Sequence, residues 1–419
     1  MNETTGASRS LLSVTPCLIA VFGCLLAAAC ARAPQPGDPL QGLRRAQRDR
    51  FEKGRLVFER RFTPETGLGP LFNAVSCGEC HEAPKSGGSG DEVELHATAF
   101  LVRAGGAAAA RAGGASSRRA EAAGPPPEGT CDPLTDQGGP VVQQHVTPAL
   151  KRALGIDEEP VPSRATGKGM RTTPDLFGFG LLDAVPAATI LQLADPDDYD
   201  HDGISGRPNR FTDGRIGRFG RKAFVPTLRE FNEGAFLNEM GITTPAMPAE
   251  GTIGGEPVPP GVDTVPDPEL SQEDFDLADD FVRFLAPPAP LRQGAGDERG
   301  RAIFATLGCA SCHVPVLETG DSEVAALRHR RVAAYTDLLL HDMGPDLADI
   351  CLGLATPSEF RTEPLMGLHL ATKFLHDGRA ASIEEAIVQH GGEGAAARDR
   401  FKALSDADRA RLMEFLKAL

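Results

Sequence analysis

The sequence contains no Trp and only two Tyr among its 419 residues, so its aromatic content is almost wholly the 21 Phe. Any function that requires an indole is therefore excluded. Basic residues are also in deficit: 43 Lys and Arg against 58 Asp and Glu leave a net charge of −15. That balance argues against nucleic acid as a partner, because phosphate binding needs clustered Lys and Arg. It suits a soluble protein that meets basic or neutral partners. Beyond residue 30 there is no uninterrupted apolar run of about 18 residues, so no further membrane span is expected. The hydrophobic share of 41% and charged share of 24% are those of a globular protein,. The length predicts two or three domains.

What is present is one pentapeptide that occurs twice, Cys77-Gly-Glu-Cys80-His81 and Cys309-Ala-Ser-Cys312-His313. Each reads as a c-type haem attachment site. Two thiols at this spacing can both add to the vinyl groups on one edge of a haem, and the following His is carried beneath the ring to bind iron. The bland alternatives are a zinc half-site, a redox Cys-x-x-Cys or chance. Zinc knuckles and thioredoxin-like motifs do not require His at that position, and two copies in one chain weigh against them. Of the nine Cys, Cys17, Cys24 and Cys30 lie near the N-terminus, four belong to the motifs, and Cys131 and Cys351 remain. In an oxidising compartment these two either form one disulfide or stay separate buried thiols. Residues 1–30 read as an export signal: Arg9, then an apolar run from Leu11 to Ala29, then Ala-x-Ala-like sites. Leu25 to Cys30 also resembles a lipoprotein cleavage box with Cys30 as the lipidated residue, and plain cleavage near Ala31 or Ala33 is the alternative. A periplasmic location is expected, and the sole membrane attachment would be a lipid anchor at Cys30 if the lipoprotein box is the one cleaved.

The neighbourhoods of the two motifs repeat. Leu43 to Arg61 has helical periodicity, and its Gly54-Arg55-Leu56-Val57-Phe58 returns as Gly300-Arg301-Ala302-Ile303-Phe304. Arg171-Thr172-Thr173-Pro174 recurs loosely as Arg361-Thr362-Glu363-Pro364. Each half closes with a helix, Phe275 to Leu285 and Ala410 to Leu419. Ser271-Gln-Glu-Asp274 and Ser405-Asp-Ala-Asp408 precede them, with the shape of capping boxes that carry Asp for Glu. The chain thus reads as a duplicated unit of lead helix, motif, Arg-Thr loop and closing helix. The predicted fold is mainly α, with two cytochrome c-like domains at 40–286 and 291–419 joined through Pro287 to Pro290. Residues 83–170 read as a loop-rich insertion in the first, Gly, Ala and Pro rich, with one strand at Val93 to Val102.

Asp195 to Ile204 resembles a calcium loop in which Asp198, Asp200, Asp202 and the Ile204 carbonyl are the candidate ligands and Gly203 permits the turn. It departs from an EF-hand because Asn209 stands where the bidentate Glu belongs, and a solvated acidic turn is the bland alternative. Each haem iron also has a sixth position. The candidates are His96, His145, Met240, His341, Met343, His369, His376 and His390.

From about residue 40 onward the chain resembles the bacterial di-haem cytochrome c peroxidases, and more closely their di-haem oxidoreductase branch, also called thiol oxidoreductases. It is similar, more distantly, to the di-haem enzyme that matures the tryptophan tryptophylquinone cofactor of methylamine dehydrogenase. The resemblance rests on Leu71-Phe72-Asn73, the Asp195–Asn209 stretch, Gly234 to Gly241, Tyr335 to Asp349 and Phe374 to Arg379. It implies two covalently bound haems c. The first would react with peroxide, and Glu239 in Asn238-Glu239-Met240-Gly241 would be its catalytic acid, although Asn238 abuts Glu239 where the peroxidases place residues between; an exposed helix-end Glu is the alternative. The second would transfer electrons, with His390 opposite His313 where the peroxidases place Met, and Met343 as the alternative. His376 then reads as a structural residue. A Trp between the haems, frequent in the peroxidases, has no counterpart here. The expected partners are a small cytochrome or copper protein as electron donor and peroxide or another small substrate. A non-catalytic di-haem electron carrier, and an oxidase of a protein or organic substrate, are the rival expectations.

Overall fold

The structure, a computed structural model, describes residues 32–102, 129–291 and 295–419. The expected export signal and the low-complexity runs at 105–114 and 125–127 lie outside the described residues. Pro34–Leu419 forms one compact unit. Its helices in chain order are α1 (Arg45–Phe58), α2 (Cys77–Cys80), α3 (Pro148–Leu154), α4 (Phe179–Asp183), α5 (Ala187–Gln192), α6 (Leu228–Met240), α7 (Gln272–Phe284), α8 (Ala295–Thr306), α9 (Ile383–Val388), α10 (Ala395–Lys402) and α11 (Asp406–Leu416). Its strands are β1 (Leu71–Phe72), β2 (Val93–Val102), β3 (Gly129–Asp132), β4 (Val141–Val142), β5 (His145–Val146), β6 (Gly167–Thr172), β7 (Leu317–Glu318), β8 (Arg331–Val332), β9 (Leu340–Asp342) and β10 (Glu359–Arg361). Helix exceeds strand, 31% against 14%.

Two helix pairs frame the two motifs. The lead helix α1 packs on α7, and α8 packs on α11. The repeated Gly explains why both crossings are close. A Cβ on Gly54 would stand 2.0 Å from the Leu277 carbonyl oxygen, and one on Gly300 would stand 2.3 Å from the Phe415 Cβ. Either side chain would push its partner helix away. Phe rings then fill the crossings: Phe51 and Phe58 lie 5.0 and 4.9 Å from Phe281, and Phe304 lies 5.7 Å from Phe415. The closing helices start where their Ser caps dictate. Ser271 Oγ accepts from the Asp274 N–H and Ser405 Oγ from the Asp408 N–H,. Both helices therefore begin up to a turn before their apolar stripes.

Residues 83–170 differ from the loop-rich insertion expected. Val93–Val102 is a strand, as its alternation suggested, but it is the centre of a four-stranded antiparallel sheet with β3, β4 and β6. Glycine-rich composition concealed this. β6 reads Gly-Lys-Gly-Met-Arg-Thr, a poor strand former. Its glycines are required by packing instead, since a Cβ on Gly167 would lie 2.5 Å from the Asp349 carbonyl oxygen. Its partners are also remote in sequence, with Val93 opposite Thr172 and Glu94 opposite Arg171. The pairing left open for Cys131 and Cys351 is made: they form a disulfide, Cα to Cα 5.7 Å, that ties β3 to the segment after Asp349.

Candidate functional site

Each pentapeptide is a short turn at the end of a framed crossing. Ser76 caps α2 by accepting from the Glu79 N–H, and His81 follows its last residue. In both motifs the His is oriented in the same way. His81 Nδ1–H donates to the Gly88 carbonyl and His313 Nδ1–H to the Tyr335 carbonyl, each at 3.0 Å. For His313 that bond fixes the tautomer and leaves Nε2 as a free acceptor, the arrangement of a metal-ligating His,; His81 also has the Pro174 carbonyl beside it. Phe58 and Phe304, the repeated lead-helix residues, back the two imidazoles at 6.0 and 6.4 Å. Burial pulls the pKa of both imidazoles down, that of His313 to about 4 with the neighbouring His390 adding to it. Both rings are thus neutral at physiological pH. Cys77, Cys80, Cys309 and Cys312 remain unpaired thiols.

Around the first motif the polar groups are carboxylic. Glu239, near the end of α6, accepts from Asn73 Nδ2 at 2.8 Å and shares a hydrogen bond with Glu94 of β2. Burial, then the charge of Glu94, push its carboxyl well above the usual range,. Burial acts on Glu94 in the same sense. It is overcome by the hydrogen bond and charge of His96 (3.1 Å) and by His81 and Arg171, which hold Glu94 below the usual range. The charges of Glu239 and Glu94 both reach the Cys80 thiol. Glu94 was absent from the sequence-based candidates; its i, i+2 spacing to His96 on a strand was the available signal. An open cleft of about 380 Å³ between Phe72, Val75 and His145 leads to Asn73.

The second motif lines an apolar cavity of about 320 Å³, walled by Phe304, Leu307, Leu412 and Leu416 and reaching Ser89 and Gly90 in the loop after the first motif. His313, His390 and Met343 all face it. His390 Nδ1–H donates to the Ala386 carbonyl at 2.8 Å, again freeing Nε2.

Other sixth-position candidates are engaged elsewhere. His341 is buried with Nε2 on Asp337 (2.8 Å) and Nδ1 on Glu393 (2.7 Å), so both ring nitrogens are taken. Burial alone would lower its pKa, but the adjoining Cys312 thiol and the two carboxylates lift it well above the usual value. Met240 packs in the core with Phe236, Ile242 and Phe275. His145 lies against Phe72, and His369 Nδ1 donates to the Leu419 carbonyl. His376, expected to be structural, stacks on Phe360 at 4.3 Å beside Asp349.

In the acidic loop Asp195, Asp198 and Asp200 converge, with one carboxylate oxygen of each within 4.8 Å of the others. Asp202 Oδ1 is turned onto the Ile204 N–H and Asp200 Oδ1 onto the Asp202 N–H. Asn209 is fully buried and structural: Nδ2 donates to the Lys222 and Leu352 carbonyls, while Oδ1 accepts from the Arg210 and Leu354 N–H groups.

The family described as "Di-haem oxidoreductase, putative peroxidase" matches residues 163–419. The chain belongs to this family. No curated protein matches it. Among solved structures, hydrazine synthase of Kuenenia stuttgartiensis, pressurised with xenon, is 12% identical. The likeness covers 99% of this chain and 100% of that one at a TM-score of 0.39. A MauG-like protein associated with microbial copper homeostasis is 17% identical over 57% of this chain and 90% of that one, at a TM-score of 0.26. A di-haem oxidoreductase needs two iron sites, and the residues fit. Each pentapeptide ends in an imidazole oriented by a backbone carbonyl, and the second presents a free Nε2 and faces an apolar cavity of suitable lining. On that cavity wall, Arg361 keeps a buried Nε–H without an acceptor, a donor suited to an acidic substituent of the cofactor,.

Proposed function

We propose that this di-haem oxidoreductase reduces hydrogen peroxide to water at the first site, with electrons delivered through the second. The observation that carries the reading is the placement of Glu239: a carboxyl hydrogen-bonded to Asn73 and set beside the first motif, where burial and Glu94 push its pKa upward. When bound, haem would supply an iron that accepts electrons singly and can react with a small oxidant. The protein's part is to place protons. Reduction of one peroxide to two waters consumes two electrons and two protons. Glu239 would supply one of those protons, Asn73 fixes the carboxyl through Oε2, and Glu94 beside it would exchange protons with it,. His96, the imidazole adjoining this cluster, is engaged by Glu94. At the second site, His313 and His390 as paired imidazoles would give a low-potential, electron-transferring iron.

The reading extends to features that rest on the sequence. Both haems are taken as c-type, held by thioethers at Cys77, Cys80, Cys309 and Cys312. The two halves, 40–286 and 291–419, are taken as cytochrome c-like haem domains. The protein is taken as periplasmic, with Cys30 a lipid anchor if the cleavage box is used. A small cytochrome or copper protein is the donor, and calcium is the candidate occupant of the acidic loop.

The test is an optical and electron paramagnetic resonance spectrum of the holoprotein, oxidised and half-reduced, with and without peroxide. One high-spin and one low-spin haem, with the high-spin signal consumed by peroxide, is the expected result. Glu239→Gln should lower kcat/KM for peroxide by about 10²- to 10⁴-fold while leaving the low-spin signal intact. Two low-spin haems indifferent to peroxide would replace the enzyme by an electron carrier.

A further inference from the structure

The segment that carries His390 is tied down by one side chain. Glu393 lies three residues after His390, in the turn Gly391–Gly394, and its carboxylate gathers donors from two separate parts of the chain, Ser205 and the His341–Asp342 pair. His341 Nδ1–H donates to Oε2 at 2.7 Å. Ser205 donates twice, from N–H at 3.1 Å and from Oγ at 2.8 Å. The Asp342 N–H approaches Oε1 at 3.4 Å. His341 is itself immobilised from its far side by Asp337 at 2.8 Å, and its Nδ1 lies 3.5 Å from Cys312 Sγ of the second motif. The carboxylate therefore joins the His390 turn to β9, to Ser205 and, through His341, to the pentapeptide.

The same junction holds both candidate ligands. A Cβ on Gly392 would stand 2.1 Å from the Asp342 carbonyl oxygen, and one on Gly391 would stand 2.6 Å from that of Met343. The turn thus lies flat on the segment that bears Met343. At Gly394 a Cβ would meet His390 Cβ at 3.1 Å and Met343 Cε at 3.4 Å. His390 and Met343 are neighbours in one cavity wall, and either could be swung toward the second iron by a small shift of the turn against β9. Met is the softer, unbranched and more adaptable of the two. His390 is oriented by Ala386, and its own carbonyl accepts from Arg398 Nη1 at 2.9 Å.

We propose that Glu393 is a positioning residue that selects His390 over Met343 as the ligand of the second iron, by pinning the Gly391–Gly394 turn to His341 and Ser205. The inference rests on the reading of His313 and His390 as the paired ligands. It assigns a role to His341 that the ligand search left empty, and it explains two adjacent glycines whose backbone must touch β9 and its continuation.

The test reads ligation directly in the ferric holoprotein, through the near-infrared methionine-to-iron charge-transfer band, the low-spin electron paramagnetic resonance signal and the potential of the second haem. Wild type should show a bis-imidazole signal and no methionine band. Glu393→Ala should develop the methionine band and raise the potential, since His/Met ligation lies above His/His, and Glu393→Ala with Met343→Leu should lose the band again. Glu393→Gln can still accept from His341 and engage Ser205, so it should restore the wild-type signal despite losing the charge. Should Glu393→Ala fail to take up haem, Ser205→Ala removes one bond only and should show a mixture of the two ligations. A methionine band already present in wild type would overturn the ligand reading itself. A bis-imidazole wild type whose Glu393→Ala and Ser205→Ala spectra and potentials are unchanged would overturn the positioning role alone.

Discussion

At the scale of single residues, the molecule repeatedly uses a neighbour to decide what a titratable group does. Glu239 and Glu94 are the same side chain in contact, yet burial pushes the pKa of one up while His96 holds that of the other down. His313 and His341 are both buried imidazoles, but a carbonyl on one nitrogen makes the first a free acceptor, and two carboxylates make the second a fixed donor. A third carboxyl permits a stability measurement independent of haem chemistry. Glu159 is 2% exposed, and burial raises its pKa to about 7. One oxygen accepts from the Gln143 N–H while the other has no partner. Because the folded pKa is raised, the protonated group's contribution is fully present below the unfolded value and is lost as pH rises through 7. Glu159→Gln should therefore be neutral near pH 4 and stabilising at pH 8 by up to about 3 kcal/mol. Urea unfolding at the two pH values checks both sign and size.

At the scale of elements, the design is a pair of helix crossings, each ending in one of the two pentapeptides. Apolar periodicity and Ser caps made α1, α7 and α11 readable in the sequence, and the repeated Gly-Arg-x-x-Phe pointed to equivalent packing. The reason for the glycine is visible only in three dimensions, where the partner helix passes within van der Waals distance of its Cα. Gly300→Ala should cost about 1–3 kcal/mol, and Gly54→Ala a similar amount at its own crossing. Denaturant midpoints at constant m-value would show it. A loss below about 0.5 kcal/mol would mean that the crossings yield easily. The sheet around β2 was poorly legible for the opposite reason. Its strands are short or glycine-rich, and they pair across long stretches of sequence, so local pattern carried little of the information that sets their register.

At the scale of the whole molecule, two long-range ties unite segments from the two ends of the sequence. One is the buried cluster of Arg171, Lys222, Asp349 and His376 packed about Phe360. The other is the Cys131–Cys351 disulfide, whose partners are 220 residues apart. Closing so long a loop constrains the unfolded chain strongly, so Cys131→Ser with Cys351→Ser should lower stability by about 2–4 kcal/mol, read as a shift in the denaturant midpoint. Reductant should reproduce the loss in the wild type and leave the double variant unmoved. By itself the sequence determined the two pentapeptides, the imidazole that follows each, and the helices around them, because spacing, capping and apolar periodicity act over a few residues. Only the tertiary structure decided that Glu94 meets Glu239, that Cys131 pairs with Cys351, that His341 is held between carboxylates, and that Asn209 is part of the core. Each of those depends on which distant segments approach and which polar atoms burial compels to pair, and no short stretch of sequence encodes that.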